Sequence, residues 1–233
     1  MLKLLLENYI KKTKNSNFQF NDNISTIMLF SFVWSKFIAL ARSIKILSIT
    51  KATKKVFLGK SVTIFNKRNI LLGNNVNIGD YVKLYALGEE PLILGDNVNI
   101  GSFSQLVIST TFNIPGKFIK IGNHVGIGEF SYLGGAGGLE IGNNTIIGQY
   151  FSAHPENHNY ENTELLIREQ GVSRKGIKVG SNCWIGAKVT LLDGVHIGNN
   201  CIVAAGSIVT KSFSDNLVIG GVPAKVLKEY GEE

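Results

Sequence analysis

Histidine is the side chain best suited to move protons near neutral pH, and this 233-residue chain has only four. Two of them, His154 and His158, fall in one polar stretch that begins HPENHNYENTELL and runs to about residue 176. Imidazoles placed so close together can supply a general base toward a hydroxyl, or two ligands to a metal. Cys183 and Cys201 are the only cysteines. Two thiols exclude a disulfide scaffold and a four-cysteine zinc site, and they suit a reducing compartment.

Any site needs a frame, and here the frame is a repeat. Val179, Ile185, Leu191, Ile197, Val203 and Val209 follow one another at intervals of six. A small or β-branched residue stands four places after each of the first five: Cys183, Val189, Val195, Cys201 and Ser207. The same phrase occurs upstream at Leu72, Ile78 and Leu84, at Leu94, Ile100 and Leu106, at Ile121, Ile127 and Leu133, and at Ile141, Ile147 and Ala153. A period of six is neither a helix nor a hairpin sheet. It fits a solenoid of short parallel strands, three hexads to a triangular coil, stacked about 4.8 Å apart. Lead aliphatics then point to the axis, and Asn, Gly and Asp take the corners. Cys183 and Cys201 fall one coil apart at inward positions, where they read as stacked core thiols. His124 and His196 fall at outward positions and read as solvated. The coil starts Leu72, Leu94, Ile121, Ile141, Val179 and Ile197 leave one large insertion, residues 154–176, and function is expected there.

Composition narrows the rest. Charged residues are 18% of the chain, too few for long disorder or a coiled coil, and 26 glycines without a Gly-X-Y period exclude collagen. The net charge of +7 fits a basic surface or affinity for phosphate, anionic lipid or an anionic cofactor. No basic run interleaved with aromatics points to nucleic acid. Leu4–Leu6 is interrupted by Glu7 and is not followed by a small-residue cleavage site, so no signal peptide is expected. Lys36, Arg42 and Lys45 interrupt the apolar segment Ile27–Leu47, leaving it short of the ~20 clean residues of a spanning helix. As a helix it carries Met28, Leu29, Phe32, Val33, Phe37, Leu40, Ile44 and Leu47 on a broad apolar side. It is expected either to pack on its own domain or a partner subunit, or to lie on the inner face of the cytoplasmic membrane. In the second case Arg42, Lys45, Lys51, Lys54 and Lys55 would meet anionic headgroups.

The stretch KVGSNCWIGAKVTLLDGVHIGNNCIVAAGSIVTKSFSDNLVIGGVPAKVLKE, residues 178–229, resembles the hexapeptide-repeat acetyltransferases. It looks most like bacterial surface-polysaccharide O-acetyltransferases and the galactoside, maltose and xenobiotic enzymes. The likeness runs over roughly residues 119–229. It implies a left-handed parallel β-helix, a homotrimer, and acetyl-CoA bound in a groove between subunits with no metal required. By the same resemblance Trp184 stands beside the active site, and Gly186, Ala187 and Ala205 line the pantetheine arm. Thr210 and Lys211 hold the nucleotide end, while Lys225 and Lys228 meet the CoA phosphates. Relatives place the catalytic histidine five residues after a lead aliphatic, here Ala153. His158 is therefore expected as the base, with His154, whose His-Pro pair matches the galactoside and maltose enzymes, as its rival or its orienting partner. The acceptor-contacting asparagine of relatives is Gly128 here and an aspartate is Ala136, so Glu129, Glu156 and Tyr160 are the acceptor-site candidates.

These readings predict a mainly β protein in three parts. Residues 1–55 form a helical region, interfacial under the membrane reading; residues 56–215 form the β-helix; residues 216–233 form a tail with a short helix. The expected activity is cytoplasmic acetyl transfer from acetyl-CoA to a sugar hydroxyl of a capsule, O-antigen or related glycan. An amino sugar on a nucleotide or lipid carrier is the competing acceptor. A gamma-type carbonic anhydrase, with His154, His158 and His124 on zinc, is the remote alternative.

Overall fold

The structure, a computed structural model, describes residues 2–13, 16–50 and 55–231. From Val56 onward the chain winds through three sheets that form the faces of a triangular prism. Face A holds Val56–Leu58, Val76–Ile78, Asn99–Ile100, Gly126–Ile127, Ile146–Ile147, Trp184–Ile185 and Ile202–Val203 in that order. Face B stacks Thr63–Phe65, Lys83–Tyr85, Gln105–Val107, Tyr132–Gly134, Ser152–His154, Thr190–Leu192 and Ile208–Val209. Face C stacks Ile70–Leu72, Leu92–Leu94, Ile119–Ile121, Leu139–Ile141, Ile177–Val179 and His196–Ile197. Pairing between coils is parallel and keeps the sequence's register: Ile147 lies over Ile127, and Ile185 over Ile147. The topology makes this a parallel β-helix, of the left-handed kind that the family resemblance implies.

The lead aliphatics do fill the axis: Ile78, Leu84, Leu94, Ile100, Leu106, Ile121, Leu133, Ile147, Val179 and Leu191 are all buried. Cys183 and Cys201 are buried among them with free thiols. Each thiol donates to a backbone carbonyl, Cys183 to Gly198 and Cys201 to Ser214, both at 3.2 Å, and hydrogen bonding with the Cys201 side chain, then burial, push the Cys183 thiol up.

The structure adds a first coil, Val56–Leu72, below the one counted from sequence. Two extra residues around the short 3-10 turn Lys67–Asn69 break the six-residue count there and hide it. Corners also differ in kind. Where face C turns into face A, Asn75, Asn97, His124, Asn144, Asn182, Asn200 and Asn216 take left-handed backbone, as asparagine tolerates. Where A turns into B the left-handed residues are Ser61, Tyr81, Phe103, Phe130, Tyr150 and Lys188, and the four aromatic rings stack at 4.9–5.2 Å. Ring stacking offsets a backbone geometry that aromatic residues otherwise avoid.

The short helix expected near the C terminus is not formed. Ala224–Glu229 is a strand antiparallel to Leu217–Gly221, and the pair closes the ninth position of face A. The last coil would otherwise end on a bare parallel edge, and a returning strand satisfies those backbone groups where a helix could not.

At the other end α1 (Leu2–Thr13) and α2 (Thr26–Thr50) precede the coils. α2 is long and apolar enough to cross a membrane by length and composition, contrary to the sequence expectation, because over Thr26–Ile44 its two charges leave a mean hydropathy of 1.5. Leu29, Ser43 and Ile46 are buried, whereas Met28, Phe32, Val33, Phe37, Leu40 and Ile44 stay exposed. The apolar side is thus largely uncovered within one chain. The side chains of Lys45 and Leu47, and Lys51 and Lys54 as a whole, lie outside the described residues.

Candidate active site on the B–C edge

Every sizeable insertion leaves the solenoid at the same corner, between faces B and C: residues 86–91, 108–118, 135–138 and 155–176. Stacked on one edge, the last three of these loops border a cavity of about 280 Å³ lined by Val107–Thr111, Tyr132, Gly134–Ala136, His154–Glu156, His158 and Arg174. Close approach of loops explains the run Gly134-Gly135-Ala136-Gly137-Gly138. Gly138, at φ +96°, lies so near the Phe118 ring that a Cβ would come within 2.9 Å of it.

His154 ends a face B strand whose outward positions are Ser152 and His154. Its Nε2 is 2.5 Å from the Ser152 hydroxyl, and its ring stacks on Tyr132 from the coil below, with centroids 5.3 Å apart. Burial against that ring lowers the His154 pKa, so the neutral imidazole is favoured. Tyr132 is pushed the other way by burial and by the Glu156 carboxylate, and keeps its phenolic proton.

His158 sits four residues on, in the strand Asn157–His158, which pairs antiparallel with Val172–Ser173. This two-stranded tie closes the base of the large loop. Arg174, just past it, donates from Nε to Glu156 at 2.6 Å and from Nη1 to the Pro115 carbonyl at 2.9 Å, joining two insertions. Asp193 then accepts from the backbone N–H groups of Lys175 and Gly176, returning the chain to face C. No hydrogen bond or ion pair engages the His158 ring among the described residues, and the residue lines the cavity.

The structure therefore brings His154, His158 and Glu156 together. It does not bring Glu129, which turns the A–B corner beside Phe130, or Tyr160, which is 70% exposed beyond the paired strands. His124 is on the C–A corner and His196 on face C, both exposed, so His124 does not join the other two within one chain. Tyr132, Ser152 and Arg174 were not singled out in the sequence. Ser152 falls two residues before His154, the same-face spacing of a strand, and that signal was available.

The residues matched to a thioester arm lie mainly on the A–B edge. Trp184 points outward from face A and is 58% exposed. A Cβ on Gly186 would come within 2.5 Å of the Ala205 backbone N, so only glycine permits that stacking. Ala187 is half-buried and Ala205 exposed, so this edge presents small side chains to solvent. Lys225 and Lys228 belong to the closing hairpin on the same side. Thr210 and Lys211 instead follow the last face B strand, in the column His154, Leu192, Thr210 on the B–C edge. The chain turns the corner at Lys188 and then crosses face B along Thr190–Leu192, so the two edges are about 10 Å apart at strand rise.

Residues 176–211 match the family of the bacterial transferase hexapeptide (six repeats). Among sequence relatives, the galactoside O-acetyltransferase of Escherichia coli K12 is 36% identical over 99 residues, covering 40% of this chain and 45% of the relative. WbbJ of the same organism, named for O-acetyl transfer in lipopolysaccharide biosynthesis, is 28% identical over 122 residues, 49% of this chain and 62% of the relative. The chain thus spans less than two thirds of the length of each. A solved structure of a variant of AntD, an N-acyltransferase from Bacillus cereus bound to dTDP-4-amino-4,6-dideoxyglucose and coenzyme A, superposes with a TM-score of 0.52 at 19% identity, over 77% of this chain and 82% of that one. At that identity the likeness speaks for the fold.

Proposed function

We propose that this chain, similar over residues 176–211 to the bacterial transferase hexapeptide family, is an O-acetyltransferase that moves acetyl from acetyl-CoA to a sugar hydroxyl of a surface glycan. The observation that carries the reading is the B–C cavity, where two histidines of different character face one space on a rigid edge. His158, with an unengaged ring, takes the proton of the acceptor hydroxyl as that oxygen attacks the acetyl carbonyl. It returns the proton to the departing thiolate, so the imidazole ends as it began. His154, held by Ser152 and Tyr132, orients the acceptor or the base. A backbone N–H near Ala187 is suited to the oxyanion of the tetrahedral intermediate.

One chain supplies the pieces on two edges, too far apart to share one acetyl group. We infer a cyclic homotrimer in which the A–B edge of one copy faces the B–C cavity of the next. Charge supports the choice of faces. Lys120, Glu140 and Lys178 form an outward ladder on face C, suited to water, with Lys178 3.4 Å from Glu140. The outward residues of face A include Gly126, Ile146 and Trp184.

A thiol-release assay over a panel of acceptors tests the proposal. Acetyl transfer to hydroxyl acceptors is expected, whereas transfer confined to amino sugars would replace it with N-acetylation. Release of thiol with none of the acceptors, together with no binding of acetyl-CoA, would refute acetyl transfer altogether.

A further inference from the structure

We propose that α1 and α2 form a docking surface for a bilayer carrying anionic headgroups, with α2 lying in the interfacial plane. The proposal is independent of the acetyl-transfer reading. It rests first on where the charge is. Residues 1–55 hold ten of the 24 Lys and Arg and two of the 17 Asp and Glu, a net of +8 that leaves residues 56–233 at −1. The basic character of the chain thus resides in its helical end. α2 holds no acid, and the last turn of α1 carries Lys11 and Lys12. An anionic surface is the complementary partner.

The second observation is how α2 is exposed. Ile27 is 80%, Phe30 61%, Phe37 60% and Ile44 67% exposed, and Met28, Phe32, Val33 and Trp34 are open as well. At about 100° per residue these side chains point to every side of the first half of α2 except that of buried Leu29. A partner helix covers one stripe of about 100° and would leave the rest in water. A bilayer interface covers them together. Leu4 and Leu5 of α1 are exposed too.

The first part of the exposed stretch, Thr26–Ser35, is tied to polar structure at both ends, which selects lying over spanning. Lys36 donates to Asn77 of the second coil at 2.8 Å and stands over the Phe57 ring, so mid-α2 is pinned to the solenoid. Before α2 comes the polar turn Gln19–Asn23, held to α1 through Lys3 and Glu7. The ten residues from Thr26 to Ser35 rise about 15 Å, half the ~30 Å hydrocarbon core.

The test uses the full chain with vesicles of phosphatidylcholine, with and without phosphatidylglycerol. Sedimentation should be at least about tenfold stronger with phosphatidylglycerol and should weaken in high salt. Trp34 and Trp184 are the only tryptophans, so Trp184→Phe leaves Trp34 as the reporter. Its emission should shift to the blue on binding and be quenched more by lipids brominated near the headgroup than at the chain ends. The combined Phe30→Ser, Trp34→Ser and Phe37→Ser variant should lose vesicle binding. No partitioning, or unquenched Trp34, overturns the proposal, and quenching strongest at the bilayer centre overturns it in favour of a span. Intact vesicle binding by the triple variant with a changed assembly mass would make α2 a subunit contact instead. Should that variant fail to fold, the Trp34 quenching decides alone.

Discussion

At the scale of single residues, the two cavity histidines are separated by their partners. His154 has a serine and an aromatic ring to hold it, and His158 has an open imidazole. Replacing His158 by Ala should lower turnover at least about a hundredfold, the low end for losing a general base. Acetyl-CoA affinity, read by calorimetry, should hardly change. His154→Ala should be milder; an inert His154→Ala enzyme beside a near-normal His158→Ala enzyme would reverse the assignment. His154 also predicts a pH effect on stability. Its folded pKa lies below its unfolded value of about 6.5, so the unfolded chain binds the proton more readily. The stability it contributes is present above that unfolded value and is lost as pH falls through it toward the folded one. Melting followed across that window should show wild type losing more stability on acidification than His154→Asn.

At the scale of elements, Arg174 and the aromatic corner make opposite kinds of demand. Arg174 uses its fork to hold Glu156 and the Pro115 carbonyl together, a geometry one ammonium cannot reproduce. Arg174→Ala should speed proteolysis within residues 159–171 and raise the KM for acceptor, and Arg174→Lys should restore only part of either. Phe130 stacks on both Phe103 and Tyr150 while holding a φ of 56°. Phe130→Ala keeps the awkward backbone and loses both stacks, at roughly 1–3 kcal/mol. Phe130→Gly loses the stacks and relieves the backbone, so urea unfolding should find it no less stable than the alanine variant.

At the scale of the whole molecule, the edges make a claim that mixing can test. If each site joins the B–C edge of one copy to the A–B edge of the next, a His158→Ala chain and a Gly186→Val chain damage different halves. Each should be inactive alone, the second because a side chain at Gly186 collides with the next coil. Co-assembled trimers should regain activity at interfaces where both intact halves meet. Co-assembly without recovery, or light scattering of a catalytically competent monomer, would place the whole site in one chain.

What the sequence determined by itself is the solenoid. Six-residue spacing of Ile, Leu and Val is a local pattern that each coil repeats, so inward and outward faces were readable from Leu72 to Val209. The resemblance of residues 178–229 was legible for the same reason, being contiguous. Tertiary structure decided whatever depended on stacking between coils. It gathered insertions spread over residues 86–176 onto one edge, and so set Tyr132, Arg174 and Glu156 around the histidines. It placed Glu129 on another edge, because position around the coil, and not distance along the chain, determines which side chains meet. It turned the expected C-terminal helix into a strand, because an open sheet edge draws pairing that local propensity does not register. The exposure of α2 belongs with these. A wheel of side chains tells which residues are apolar, but only the docking of Lys36 on Asn77 decides which of them the protein itself can cover.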